Sequence, residues 1–177
     1  MNGIIVYKGK YGATLQYADF LGSSLQVPIV MSDNVQASDL KKFDYVILGS
    51  AVYIGKLLIR EWIRENIETL QSKKLFIFIV CGTSPDNKEK LEPISRENIP
   101  EEIRNRCEIY FLHGRMNKKK LSFWDSILLK MGSIFTKDPV EKMNMLKDFD
   151  AVRIENLFPL INAVSAYKSK RFEPALS

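Results

Sequence analysis

Apolar residues in this chain fall into two alternating patterns. Short, nearly unbroken runs recur at Ile4–Tyr7, Val27–Met31, Tyr45–Leu48, Lys74–Cys81 and Cys107–Leu112. Their β-branched and aromatic content, without polar alternation, predicts strands covered on both faces. Between them the period changes. Leu15, Ala18, Leu21, Gly22 and Leu25 sit at helical spacing and predict a helix over Thr14–Leu25. Leu58, Trp62, Ile63, Ile67 and Leu70 predict another over Leu57–Leu70. Ser38–Lys42 reads as one helical turn. Lys88–Arg104 reads as an interrupted helix bounded by Pro93 and Pro100. Ile154–Lys168 reads as a final helix with Pro159 near its first turn.

Five strands alternating with helices predict an α/β fold, a doubly wound five-stranded parallel sheet in one domain over 1–177. With strand order 2-1-3-4-5, the topological switch point lies between the first and third strands. Ligands of open parallel sheets bind there, beyond the carboxyl ends of the strands. Three loops then meet. The first runs Lys8, Gly9, Lys10, Tyr11, Gly12, Ala13, Thr14, from a strand onto a helix N-terminus. Amides at a helix start lack intrahelical partners and the helix dipole favours an anion there, so this geometry suits a phosphate. Thr14 offers a hydroxyl and Lys8 or Lys10 a positive charge; the bland alternative is that Gly9 and Gly12 only make the turn. The second loop holds Ser50, Ala51, Val52, Tyr53, Ile54 and Gly55. Tyr53 either flanks a flat ring or packs on its neighbour. The third, with Gly82, Thr83 and Ser84, is small enough to lie along a ring edge.

Composition narrows the class. A chain of 177 residues, 46% hydrophobic and 27% charged, suits a globular domain with a full core. No apolar run approaches the roughly 20 residues of a membrane-spanning helix. Met1–Lys8 lacks the charged start and cleavage site of a signal peptide, so the expected location is cytoplasmic. Cys81 and Cys107 read as buried free thiols rather than a disulfide or redox pair. His113 is the single histidine, which excludes a histidine-based metal cluster; no metal is expected.

The net charge of +5 is local. Between Gly114 and Lys137 stand Arg115, Lys118, Lys119, Lys120, Lys130 and Lys137 against Asp125 alone, and the rest of the chain is balanced. A localised basic segment marks a site or a surface. Phe123, Trp124, Ile127, Leu128, Met131, Ile134 and Phe135 follow at helical spacing, predicting an amphipathic helix. Basic residues beside an apolar aromatic face suit a membrane surface or a hydrophobic, carboxylate-bearing substrate. The competing reading is a stripe that packs as core, with the lysines as solvated rim. Nucleic acid is not expected, because no recognised nucleic-acid module accompanies the lysines.

Gly9-Lys10-Tyr11-Gly12-Ala13-Thr14 resembles the phosphate loop of the flavodoxin family, commonly T/S-x-T-G-x-T. Gly12 and Thr14 match; Gly9 and Tyr11 stand where hydroxyl residues are usual, leaving backbone amides and a nearby lysine to compensate. The order of elements is similar along most of the chain. The resemblance implies a flavodoxin-like fold and a non-covalent FMN cofactor held by the three loops. The segment of about 114–147 is similar to the insertion of the menaquinone-dependent protoporphyrinogen oxidases. Gly114-Arg115, Trp124-Asp125, Ile127–Leu129 and Lys130-Met131 carry that similarity, together with the loop from Gly49 to Gly55.

This second resemblance implies an FMN-dependent oxidoreductase of haem biosynthesis that oxidises protoporphyrinogen with a quinone acceptor. It would sit peripherally on the inner face of the cell membrane. Arg115, Lys118, Lys119 and Lys120 would pair with tetrapyrrole propionates, and the face from Phe123 and Trp124 onward would approach quinone. No catalytic residue is assigned. Two alternatives stay open: a flavodoxin-type electron carrier or reductase of another substrate, and a binding module without cofactor. Electron-carrier flavodoxins are usually acidic, and this chain is basic.

Overall fold

The computed structural model describes residues 1–117, 119, 122, 125 and 147–170. Five parallel strands form the sheet: β1 (Gly3–Lys8), β2 (Ile29–Met31), β3 (Tyr45–Tyr53), β5 (Lys74–Cys81) and β6 (Cys107–His113), with β4 (Lys56–Leu57) antiparallel on the end of β3. The order is β2-β1-β3-β5-β6. Counted without the two-residue β4, this is the expected order 2-1-3-4-5. The register runs from Gly3 opposite Tyr45 to Lys8 opposite Ser50, and from Tyr45 opposite Lys74 to Ala51 opposite Val80.

The unbroken apolar runs arise because the sheet has a core on each face. Ile5, Tyr7, Tyr45, Ile47, Phe76 and Phe78 point to one side. There they meet Tyr17 and Leu21 of α1 (Ala13–Leu25), and Leu160 and Val164 of the C-terminal helix. Ile4, Val6, Val46, Leu48, Ile77 and Ile79 point to the other, against Trp62 and Ile63 of α2 (Arg60–Glu65), Leu70 of α3 (Ile67–Gln71), and Ile103. Successive strand side chains alternate faces, so a doubly covered strand has no polar position to spare.

Several boundaries differ from the sequence reading, each for a physical reason. Val27 is not in β2: its amide donates to Gly22 O at 3.2 Å, closing the end of α1 beyond Gln26 at φ 54°. β3 continues past Leu48 to Tyr53, because Ser50 and Ala51 still pair with Ile79 and Val80. Leu57–Leu70 is not one helix. It is β4, α2 and α3, the last two separated at Asn66, whose side-chain amide donates to Trp62 O at 2.8 Å. Such local side-chain bonds compete with regular helix. Pro93 bounds nothing; it lies inside α4 (Lys88–Asn98), and Pro100 caps the short α5 (Glu101–Arg104). The C-terminal helix, α6 (Phe158–Lys170), follows a 3₁₀ turn at Ile154–Leu157. Pro159 falls in its first turn, where the missing N–H costs no helical bond.

A second, two-stranded ladder was not anticipated. β7 (Arg115–Met116) pairs antiparallel with β8 (Phe149–Asp150), bringing the two ends of the intervening segment together. Cys81 and Cys107 are free thiols, Cys81 buried and Cys107 half-buried. Burial pushes both up, Cys107 to about 11.

Candidate functional site

The carboxyl ends of β1, β3 and β5 carry the three loops read from the sequence. In the first, Gly12 adopts φ +85°, a left-handed value that favours glycine, and begins α1 with no side-chain cap. Gln16 N donates to Gly12 O at 3.0 Å, so the first turn is closed while the amides of Ala13, Thr14 and Leu15 have no intrahelical acceptor. Space beside Gly12 is open. Gly9 packs against Thr14 so closely that a Cβ there would lie 2.8 Å from Thr14 Cβ. Ala13 and Thr14 are buried. The Tyr11 hydroxyl oxygen is also buried and has no hydrogen-bond partner among the described residues. A bare helix start, open room beside it and a buried polar atom lacking a partner fit an anionic oxygen ligand.

The second loop is a tight hairpin rather than a loose connection. Tyr53 pairs with Lys56 across Ile54 and Gly55, whose φ values are 49° and 70°. Two left-handed residues in succession make the turn that matches strand twist. Gly55 takes this conformation freely; Ile54, β-branched and 64% exposed, takes it at a cost. Asn98 of α4 clamps the turn. Its side-chain oxygen accepts from Leu57 N at 3.0 Å, and its amide donates to Gly55 O and Ile94 O, both at 2.9 Å. Ser50 is turned into the sheet, fully buried. Its hydroxyl donates to Ala51 O and accepts from Ile59 N at 3.3 Å. Ala51, Val52 and Tyr53 are half-buried.

In the third loop, Gly82 O lies 3.1 Å from His113 Nε2, Thr83 O accepts from Cys81 Sγ, and Ser84 Oγ bonds Asp86 at 3.2 Å. The His113 ring rests on Phe149 at 4.9 Å between centroids. α1 is tied to this corner by Tyr17, whose hydroxyl donates to His113 O at 2.8 Å and accepts from Asn156 Nδ2 at 2.8 Å. Burial pushes the Tyr17 phenol above its ordinary value.

The lysines of the first loop are both engaged. Lys8 Nζ is 2.6 Å from Asp33 Oδ1, beyond β2, and holds that carboxyl below its ordinary value. Lys10 Nζ is 2.7 Å from Asp125 Oδ2 and 3.9 Å from the centre of the Tyr53 ring. Asp125 is 7% exposed, and its other oxygen accepts from the Tyr53 hydroxyl. The Asp125 carboxylate, above all, holds the Lys10 ammonium above its ordinary lysine value. Asp125 thus joins the first and second loops. Its signal in the sequence was that it stands as the single acid among six bases.

Of the residues expected to face a substrate or membrane, Arg115 donates to Gln16 Oε1 at 2.7 Å and lies 3.3 Å from Asp150 Oδ2. It therefore braces α1 against β8. Lys119 N donates to Asn117 Oδ1 at 3.0 Å. Lys118, Lys120, Phe123, Trp124 and the remainder of the expected amphipathic helix lie outside the described residues. Among the described residues no acidic, histidine or cysteine cluster can hold a metal, and no helix is long and apolar enough to cross a membrane.

The fold and the ends of its strands define an α/β domain of the flavodoxin class. Residues 4–143 match the family model of the flavodoxin domain, and the chain belongs to that family, whose cofactor is FMN. Solved structures of similar fold include a flavodoxin from the domain Archaea, at 18% identity and TM-score 0.46, over 67% of this chain and 87% of that one. Oxidised Flavodoxin 2 from Bacillus cereus is 22% identical with TM-score 0.48, over 64% and 84%. Rubredoxin oxygen:oxidoreductase from the anaerobe Desulfovibrio gigas is 13% identical with TM-score 0.48; the alignment covers 95% of this chain and 37% of that longer one. A search of curated protein sequences gave no match.

Proposed function

We infer that the chain is an FMN-dependent oxidoreductase in which the Lys8–Thr14 loop holds the phosphate, and the 50–55 hairpin and the 82–84 loop border the ring. The observation that carries this reading is the uncapped start of α1. Its amides, with Gly12 left-handed beside open space, follow Lys10, whose ammonium lies 3.9 Å from the centre of the Tyr53 ring at the end of the neighbouring strand. FMN, when bound, would supply hydride and electron transfer, which leaves binding, orientation and electrostatics to the protein. Tyr17 and Arg115 fix α1; Asn98 fixes the hairpin; the buried Ser50 hydroxyl fixes the entry to α2. Each is a positioning residue.

The substrate proposed is a reduced tetrapyrrole of the protoporphyrinogen type with a quinone as acceptor. Each turnover would move a hydride and a proton from the tetrapyrrole and yield a quinol. The support is the sequence of the basic-aromatic segment, whose lysines complement propionates and anionic lipid. Peripheral contact with a membrane belongs to the same proposal. FMN-loaded protein incubated with protoporphyrinogen and a menaquinone analogue is expected to form porphyrin, read by its fluorescence. Absence of turnover overturns the substrate assignment.

A second reading, a flavodoxin-type electron carrier, is favoured by the family match over residues 4–143. Redox titration separates the two. Two widely spaced one-electron potentials, the second very low, indicate the carrier; the net charge of +5 argues for the oxidoreductase.

A further inference from the structure

We propose that the Lys10 ammonium belongs to the anion subsite at the start of α1 and that the chain holds it back with its own Asp125, so that the FMN phosphate gains this cation only when the ion pair opens. The proposal rests on the FMN reading of the same crevice. A buried carboxylate is costly unless both oxygens are satisfied. Here one oxygen lies 2.7 Å from Lys10 Nζ as an ion pair without a formed hydrogen bond, and the other accepts from the Tyr53 hydroxyl, so the burial is only partly offset. Both partners belong to loops that border the crevice, and neither comes from the core. The Asp125 side chain is only 6% exposed, whereas Lys10 keeps 36%, so the acid is the inserted party.

The neighbouring charges sharpen the conflict. Lys8 pairs with Asp33 at 2.6 Å, whereas Lys10 is the cation of this loop that reaches Tyr53 of the second loop. Its ammonium also covers the Tyr53 ring at 3.9 Å, on a face that a planar ligand would use. A single ammonium held by Asp125 is neutralised with respect to an arriving phosphate. The apparent affinity is lowered by the fraction of molecules in which the pair is closed.

The test compares wild type, Asp125→Asn and Asp125→Ala, with FMN and with riboflavin, which lacks the phosphate. Binding is read by quenching of flavin fluorescence. Both variants are expected to bind FMN about tenfold tighter than wild type, with riboflavin affinity unchanged. Unchanged or weaker FMN binding, or an equal gain for riboflavin, overturns the proposal. A second measurement is independent of flavin: the rise in Tm produced by inorganic phosphate, against chloride at equal ionic strength. It is expected to be larger in both Asp125 variants than in wild type and to lose that gain in the Lys10→Met, Asp125→Ala double variant. An equal rise in all proteins overturns the subsite. If no protein binds FMN while the phosphate response follows the expected pattern, the cofactor reading fails and the anion subsite stands.

Discussion

The first loop and the 53–57 hairpin lie side by side at the strand ends and reach their shapes by opposite routes. Residues 9–14 are shaped locally. A glycine at φ +85°, a close glycine–threonine contact and an uncapped helix start all lie within six consecutive positions. The hairpin is shaped from a distance. Its turn includes an isoleucine in the left-handed region, and it is held by Asn98, 41 residues from Leu57 and 43 from Gly55. Local chemistry leaves a readable motif; long-range clamping does not.

The contrast breaks most readily at the clamp. Asn98→Ala removes the partners of Leu57 N and Gly55 O in a site where Asn98 is 2% exposed. The expected loss is about 3 kcal/mol of stability, read from urea unfolding. A loss below about 1 kcal/mol would mean the turn holds itself. The first loop has a smaller expected effect. Gly12→Ala has room for its methyl group but forces a left-handed alanine. FMN binding should weaken about tenfold, the equivalent of about 1.4 kcal/mol. Unaltered affinity would remove this backbone from the phosphate site. Next comes Ile54→Gly, which relieves the strained turn residue. It should raise stability by about 1 kcal/mol, read from the same unfolding curves, if Asn98 rather than Ile54 sets the turn.

The smallest effect lies away from both loops and serves as a baseline. Lys74 Nζ is 2.7 Å from Glu108 Oε1, and that contact is the main cause holding the Glu108 carboxyl below its ordinary value. A lowered carboxyl contributes stability that is present above its ordinary pKa and lost as pH falls through the folded one. The pair is partly exposed, so Glu108→Gln should cost only a few tenths of a kcal/mol at neutral pH. The difference from wild type should disappear in acid, below the ordinary carboxylate range.

The same division explains what could be read in advance. All five parallel strands and their order were legible, because covering both sheet faces demands runs such as Lys74–Cys81, which no helix period fits. The Gly12–Thr14 helix start was legible for the local reasons above. Asn98 was hidden, since a polar residue near a helix end has many ordinary uses. Ser50 was read as a loop residue because Gly49–Gly55 is rich in small side chains. It instead lies within β3, where its hydroxyl serves Ile59 N. In the sequence Asp125 is the one acid of a basic segment and half of the Trp124-Asp125 pair, neither of which points to Lys10 or Tyr53. What makes it notable, two partners from loops far back in the chain, belongs to tertiary structure alone.

The small β7–β8 ladder carries a consequence for how this domain tolerates change. Arg115 faces Asp150 and Met116 faces Phe149, so the chain departs beyond β6 and comes back, on its way to the C-terminal helix, at a single doorway. Whatever is spliced between those two strands starts and finishes at adjacent points. Of the described residues within it, Asp125 reaches back to Lys10 and Tyr53. A bare Asn-Gly turn joining Met116 to Phe149 would leave a minimal version of the domain with its sheet register untouched.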